Sequence, residues 1–472
     1  MSSYTISPTL NKSRVFILHK SELEKRFDPQ FYKQEYKDNL EKIKRINHKR
    51  LGEVVKFSTE TWNQKDFFDN TFPYIEISEI DTISGEIQNI VQVEKEKAAS
   101  RAKMIVREND IIISTTRPNR GAISIIRKEQ DFSIASTGFS VIRNITNPEI
   151  DREYLFTILR QQIILKQFEQ RSSGGNYPAI TQEELCSVTI PLPEKEIQKR
   201  IVKVFNNCFA QKQKNEVEAE KLLSSIDDYL LNELGIKLPE PPENTLKNRM
   251  FTVSMEELSG NRYDPNYHQK YFQDVFSAFE KGKYEYSQIK KYASFQAGYA
   301  FKSSDYLEHS NCLLITIKNI RQNQIDIEDA TYLPDDYFEQ YKEFQIRKND
   351  LLIAMTGATI VKVGIYNHPN KSLLNQRNGI IKPDNINSIY LLSLLNLSIF
   401  QKLILRNSNG GAQPNISETD IMRISIPVPP LDTQKEIAEH ITDIRQQAQQ
   451  IKDQTKELFK KENEEIEKIL LN

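Results

Sequence analysis

The chain has 472 residues, of which 38% are hydrophobic and 27% charged, and its formal net charge is −1. That length leaves room for two to four domains, and the charge balance excludes a uniformly basic nucleic-acid coat while leaving local basic patches open. Cys186, Cys208 and Cys312 lie too far apart for a disulfide framework or a C-x-x-C metal site, no apolar run reaches the ~20 residues of a membrane-spanning helix, and residues 1–12 lack a signal-peptide core; the expectation is a soluble, cytoplasmic protein.

Residues 1–47 read as an N-terminal arm. Ser21 to Glu24 has the form of a helix start, with Glu24 three residues after a serine cap, and Asp28-Pro29 breaks it. Residues 48–193 read as a globular α+β domain. Pro73 to Ile77 alternates as a half-buried strand does. Ile111–Ile113, Ile123–Ile126 and Phe139–Ile142 are further short strands, with the polar, basic loop 114–121 between the first two. Tyr154 to Phe168 carries apolar residues at helical spacing and is expected to be the domain's main helix. Pro191 and Pro193 stop the domain, and residues 194–236 form a central long helix. Its core, Glu196 to Leu234, is ~40 residues and so ~60 Å long. Ile197, Ile201, Val204 and Cys208 step by four, three and four, the coiled-coil spacing. Residues 211–216 interrupt the pattern; Leu222, Ile226, Tyr229 and Leu230 resume it in a shifted register, and Gly235 suits a C-cap.

Residues 237–283 comprise a linker, stiffened by Pro239, Pro241 and Pro242, and a second arm. Residues 284–429 form a second domain: Leu313–Ile317, Leu351–Ala354 and Gly379–Ile381 as strands, Tyr390–Leu405 as its main helix. Residues 430–472 form the C-terminal long helix, in which Ile437, Ile441, Ile444, Ala448, Ile451, Thr455 and Leu458 keep an unbroken heptad rhythm. With seams of similar length, the two long helices are expected to pack on each other.

The second half repeats the first. Gly174-Gly175-Asn176-Tyr177-Pro178-Ala179-Ile180-Thr181 recurs as Gly410-Gly411-Ala412-Gln413-Pro414-Asn415-Ile416-Ser417. The I-P-L-P run at 190–193 recurs at 426–429 as I-P-V-P, Gln198 as Gln434, and Arg26-Phe27-Asp28-Pro29 as Arg262-Tyr263-Asp264-Pro265. All stand 236 positions apart, half of the 472 residues, so a tandem duplication fills the chain. Frameworks match while loops diverge: Thr356 to Lys362 replaces Thr116 to Arg120. Two related domains with different ligands follow.

No catalytic constellation accompanies this frame. There is no phosphate loop, and the six histidines make no H-E-x-x-H motif. Asp264-Pro265-Asn266-Tyr267 resembles the D-P-P-Y motif of amino-methyltransferases, but its third residue is Asn and no glycine-rich loop accompanies it, so it reads as a turn. Asp28, Glu35 and Lys37 have the order of a nuclease metal site, yet the repeat keeps only Asp264, so they read as a solvated helix face. What remains are polar loops. Thr116, Arg117, Asn119 and Arg120 in the first domain, and Thr356, Lys362, Asn375, Gln376, Arg377 and Asn378 in the second, are the candidate DNA contacts. Arginine and asparagine suit guanine and adenine edges, Lys362 suits a phosphate, and two readers on one helical spacer suit half-site recognition.

On the two G-G-x-x-P-x-I-[ST] loops, the I-P-[LV]-P stops with Gln198 and Gln434, the R-[FY]-D-P starts and the two long helices, the chain resembles the specificity (S) subunit of type I restriction–modification systems over essentially its whole length. The resemblance implies two target-recognition domains, each reading half of a split site in double-stranded DNA. It implies an antiparallel coiled coil that sets the gap and docks two methyltransferase (M) subunits, with Ile197, Ile201, Val204, Cys208, Ile437, Ile441, Ile444, Ile451 and Leu458 in the seam. The chain itself would be non-catalytic and hold no cofactor or metal. S-adenosylmethionine for adenine-N6 methylation, and ATP and Mg for the restriction (R) motor-nuclease subunits, would sit on partners; no membrane is implied. Glu462, Glu464, Glu465 and Glu467 suit a docking arm. The alternatives are the recognition subunit of a type IIB-like or other phage-defence methyltransferase system, a degenerate methyltransferase at Asp264–Tyr267, and a coiled-coil scaffold without nucleic acid.

Overall fold

The computed structural model describes residues 15–471 apart from Lys25, 64–67, Asn176, Asn244, 256–257, 259–266, Asp329, 358–359 and 407–414. The arginine–aspartate–proline start of the second arm lies outside the described residues. The chain divides into two compact units, one of residues 1–217 with 451–472, the other of residues 218–450. Each unit therefore takes one globular domain and a part of both long helices, Lys195–Glu233 and Leu431–Leu471.

In the first unit, Ile111–Ser114 lies inside an antiparallel sheet, ordered 55–57, 139–145, 111–114, 123–125 among the described residues. Its residues are buried on both faces. Ile111 and Ile113 face the helices Arg152–Leu159 and Gln162–Arg171, while Ile112 joins a separate apolar cluster with Ile75, Ile80 and Val141. That is why the strand reads as a continuous apolar run rather than an alternating one. A second sheet, ordered 91–94, 71–75, 134–136, 102–105, carries the aromatic group Trp62, Phe72 and Tyr74. The expected single helix over Tyr154–Phe168 is two helices. It breaks at Arg160-Gln161, where Arg160 turns inward to donate to the Ile83 carbonyl and the Gln161 backbone accepts from Ile164 and Leu165.

The second unit repeats this plan. Leu351–Ala354 lies within the sheet ordered 293–297, 378–383, 351–354, 363–365, 323–325, 320–321. Leu351 and Ile353 face one cluster, Leu352 and Ala354 another. The expected helix Tyr390–Leu405 is again broken, into Ser388–Asn396 and Ser398–Arg406. The strand expected at Leu313–Ile317 is Cys312–Ile315, because Thr316 caps a 3-10 turn over Ile317–Asn319. No single helix among the described residues is long and apolar enough to cross a membrane.

The junction between each domain and its long helix is built twice from the same parts. Strand His48–Arg50 pairs with Thr189–Pro191, and Tyr286–Gln288 with Ser425–Pro427. The Tyr154 hydroxyl donates to the Pro191 carbonyl at 2.9 Å, and Tyr390 to Pro427 at 2.9 Å. Gln198 accepts from the Asp151 N–H (2.9 Å) and donates to the carbonyls of Glu149 (2.8 Å) and Pro193 (2.9 Å). Gln434 accepts from the Asn387 N–H (2.9 Å) and donates to Pro429 (2.8 Å). Both glutamines are buried, where a lost partner costs the full desolvation of the groups left behind.

The two long helices run antiparallel. Within the first unit Asn215 donates to Thr455 at 2.9 Å, and Phe205 lies 6.4 Å from Phe459; within the second, the Tyr229 and His440 rings are 4.2 Å apart. Their seams also pack into the domains. Ile201 and Cys208 are buried in the first domain's core, with Ile197, Val204 and Leu458 half-buried against it; Ile437, Ile441 and Ile444 are buried in the second domain's core. Ile451 is half-buried. The lapse at residues 211–216 is a polar anchor. Lys212 is only 4% exposed, with Nζ 2.7 Å from both Glu86 and Glu216 and 3.7 Å from Asp81. Glu462 is likewise buried, against Arg160 and Gln161, and so does not belong to an acidic docking face as the sequence suggested.

Two outcomes test this packing. Gln198→Leu or Gln434→Leu should each lower unfolding free energy by about 1–3 kcal/mol, read by denaturant titration; losses below ~0.5 kcal/mol would leave the lock without energetic weight. Burial pushes the Glu462 carboxyl up to about 7. A folded-state value raised above the unfolded one gives stability that is present at low pH and lost as pH rises toward the folded value. Relative to Glu462→Gln, the wild type should therefore lose on the order of 1–3 kcal/mol between pH ~4.5 and ~7. A pH-independent difference would place that carboxyl in water.

Candidate nucleic-acid interface

In each domain three backbone segments are hydrogen-bonded into one loop cluster. In the first domain they are residues 114–121, 136–138 and 173–180. The Thr115 N–H and hydroxyl both donate to the Gly138 carbonyl (2.7 and 2.9 Å), the Arg117 N–H donates to Pro178 (2.7 Å), and the Ile180 N–H to Thr115 (2.9 Å). Ser173 and Ala179 exchange both backbone bonds, at 2.9 and 2.8 Å. This accounts for the repeated glycine–proline motif. Gly174 sits at φ +109, where a side chain is strained, Ile180 is buried, and the Thr181 hydroxyl caps helix Gln182–Cys186.

The second domain keeps the scheme. Met355 N–H donates to the Arg377 carbonyl (3.0 Å), Ile416 N–H to Met355 (3.1 Å), and Thr356 bridges Asn415 as Thr116 bridges Ala179. Ser417 caps the helix Glu418–Met422. The turn 375–378, which joins strands of two different sheets, is pinned from several sides. The Gln376 N–H donates to the Tyr299 carbonyl (2.8 Å), and the Asn378 side-chain amide to the carbonyls of Asn375 (3.1 Å) and Gln376 (3.2 Å). A Cβ on Gly298 would lie 2.0 Å from the Asn375 carbonyl oxygen, so the two loops touch backbone to backbone.

The candidate residues fall in different places. The Arg117 guanidinium lies 4.5 Å from the centroid of the Tyr177 ring, which is 70% exposed. Arg117 itself has φ +49. Asn119 and Arg120 are exposed, but the 3-10 turn Pro118–Arg120 packs on helix Gln162–Arg171. There both line a cleft of about 490 Å³ with Arg160, Lys456, Lys460 and Glu462. Arg117 and Tyr177 are not among the residues that line this cleft. Thr116 and Thr356 are half-buried and held by backbone pairing, and Lys362 is half-buried beside strand Val363–Ile365. Asn375 is half-buried, and Gln376 and Arg377 are exposed. Asn378 is 1% exposed and holds the turn together, which corrects its reading as a base contact.

Two aromatic residues at the clusters were not singled out from the sequence. Tyr177 lies inside the repeated motif, where a solvent-facing aromatic between glycine and proline was the available signal. Tyr299, 39% exposed, packs at a tilt against Tyr341 (4.9 Å) and Phe344 (5.1 Å) beside the Asn375 turn. No group of three or more metal-ligating side chains converges among the described residues. Burial pushes the Cys208 thiol up to about 12 and Cys312 up to about 11, far from nucleophilic thiolates. Asp28 caps a 3-10 turn over Pro29–Tyr32 and Glu35 is exposed. Of the D-P-N-Y stretch, residues 264–266 lie outside the described residues.

Each duplicated domain thus carries one such loop cluster. The chain belongs to the family of type I restriction–modification DNA specificity domains, whose model matches residues 43–219 and 281–467. Its place there is as a recognition subunit, not a catalytic one. It is 26% identical over 374 residues to the type I restriction enzyme MjaVIII specificity subunit of Methanocaldococcus jannaschii, covering 78% of this chain and 77% of that protein. It is 21% identical over 395 residues to the MjaIX specificity subunit of the same organism, covering 82% and 83%. Among solved structures, the HsdS subunit from Thermoanaerobacter tengcongensis matches with a TM-score of 0.36 at 22% identity, covering 90% of this chain and 96% of that one.

Gly298→Ala should force the Asn375 turn to move, at a cost of about 1–3 kcal/mol in stability. DNA recognition should weaken on one part of the site only, read by binding to oligonucleotides altered base by base. Unchanged melting and binding would mean the two loops separate freely.

Proposed function

We propose that the chain is the DNA-reading subunit of a type I system and recognises a bipartite site in double-stranded DNA, one half through each loop cluster. The observation that carries this is the duplication of the three-loop cluster on two family domains whose frameworks agree and whose presented side chains differ. Candidate contacts are Arg117, with Asn119 and Arg120 at the neighbouring turn, in the first domain, and Asn375, Gln376, Arg377, Thr356 and Lys362 in the second. Arginine forks match guanine edges, amides match adenine, and lysine serves a phosphate as a point charge.

On this reading the exposed faces of the long helices dock two methyltransferase subunits, and motor-nuclease subunits join through them. S-adenosylmethionine, ATP and Mg belong to those partners, and this chain contributes no cofactor. The assembly works in the cytoplasm, where its DNA lies. Assignment to a type IIB-like or other phage-defence methyltransferase system is the alternative, and co-purification with a separate motor-nuclease subunit distinguishes the two.

Mapping methylated adenines in a genome that carries the system should return two fixed half-sites around a gap of unspecified bases. The gap should follow the helices. One heptad inserted after Val217 and one after Gln450, where the two units divide along each helix, leaves each unit's own packing intact. It lengthens the arm by ~10 Å, enough to widen the gap by up to ~3 base pairs. Both half-sites should stay the same. A changed half-site with the old gap would place base recognition on the helices.

A further inference from the structure

The duplicated frame lets equivalent loop positions be compared inside one molecule. Asn109 and Asn349 precede matching strands and both have φ +71; asparagine tolerates that left-handed backbone well. Eight residues further on, Arg117 (φ +49) stands where the second domain has Gly357 (φ +76). Glycine is the unstrained choice for such a backbone, and a branched or long side chain costs energy there. An arginine held in it points to a use for its side chain.

The second loop shows the reverse arrangement. The carbonyl that accepts from Thr115 in the first domain belongs to Gly138, and the one that accepts from Met355 in the second belongs to Arg377, at φ +65. At Gly138 a Cβ would lie 2.8 Å from Ile77 Cδ1, the movable end of that side chain. The first domain thus presents arginine on the loop after its buried strand and glycine on the turn between its two sheets. The second presents glycine on the former and arginine on the latter.

We propose that Arg117 and Arg377 are the guanine-reading residues of their respective half-sites, and that the domains differ in specificity partly because the arginine is carried on different loops. This rests on the DNA-reading function proposed above. The Arg117 side chain and the Arg377 backbone are each held in place. The Arg117 guanidinium lies over the Tyr177 ring, 4.5 Å from its centroid, a cation–π attraction that favours one position of the fork. The Arg377 backbone is fixed by Met355, and the preceding Gln376 by Tyr299. The guanidinium then has the geometry for the two acceptors of a guanine major-groove edge.

Glycine fits the backbone at both positions, so Arg117→Gly and Arg377→Gly separate reading from folding. The test is a methylated-adenine map from cells expressing the full chain with its methyltransferase partner, alongside thermal melting of each variant. Arg117→Gly is expected to keep or raise the melting temperature. It should lower discrimination about 10- to 100-fold at a guanine of one half-site, leaving the other half-site and the gap unchanged. Arg377→Gly should do the same in the other half-site. An unaltered motif, a uniform fall at every site (the mark of a phosphate contact) or a collapse in melting temperature overturns the assignment while DNA reading stands. A wild-type map without two half-sites overturns DNA reading itself, and this assignment with it.

Discussion

A buried glutamine at the start of each long helix fixes how that helix leaves its domain. Gln198 and Gln434 tie the first turn of the helix to the backbone entering the domain's helical pair, at Asp151 and Asn387. Tyr154 and Tyr390 tie the same pair to the proline-rich strand that leads into the helix. Every partner is a main-chain group and both glutamines are buried, so a lost bond leaves a buried polar group without its partner. The helix direction is set by these bonds, and the apolar seam then decides what the helix meets.

What it meets differs between the units even though the frame is shared. The first unit buries Lys212 of the first long helix among Asp81, Glu86 and Glu216. The second half-buries Arg445 of the C-terminal helix, whose guanidinium donates to Asn323 (2.8 Å) and Ser393 (3.2 Å). Burial lowers Arg445 to about 10, so it remains charged at neutral pH. A buried cation adds little net stability but penalises any shifted register, because a slip strands the charge without partners. Each unit thus combines a forgiving apolar contact with one polar pin. The same division holds in the loop clusters, where conserved backbone bonds build the platform and the side chains on it are free to differ.

Much of this was legible in the sequence because duplication prints the frame twice. The repeated motifs located both loop clusters, both helix junctions and the buried strands, and heptad spacing located the seams. Local chemistry that depends on distant partners was not legible. The break at Arg160 follows from a carbonyl at Ile83, and Asn396 breaks its helix through Val363 and Asn323. The polar stretch at 211–216 looked like a weak point because Lys212's carboxylate partners at 81 and 86 are remote in the chain. Asn378 looked like a reader because its polar neighbours are exposed, yet the turn closes around its amide. Arg117 and Arg120 are three residues apart in one basic loop, yet with Pro118–Arg120 packed on a helix Arg120 lines the cleft there and Arg117 does not.

The central claim is that each half of the chain carries its own reading function. A chimaera in which residues 48–193 replace residues 284–429 keeps both helix junctions and supplies the first loop cluster twice. Methylated-adenine mapping of cells expressing this chimaera with the methyltransferase partner tests the claim directly. The account predicts a site in which the first half-site sequence occupies both sides of the gap. Survival of the original second half-site would show that the second domain is not its reader and would contradict the account.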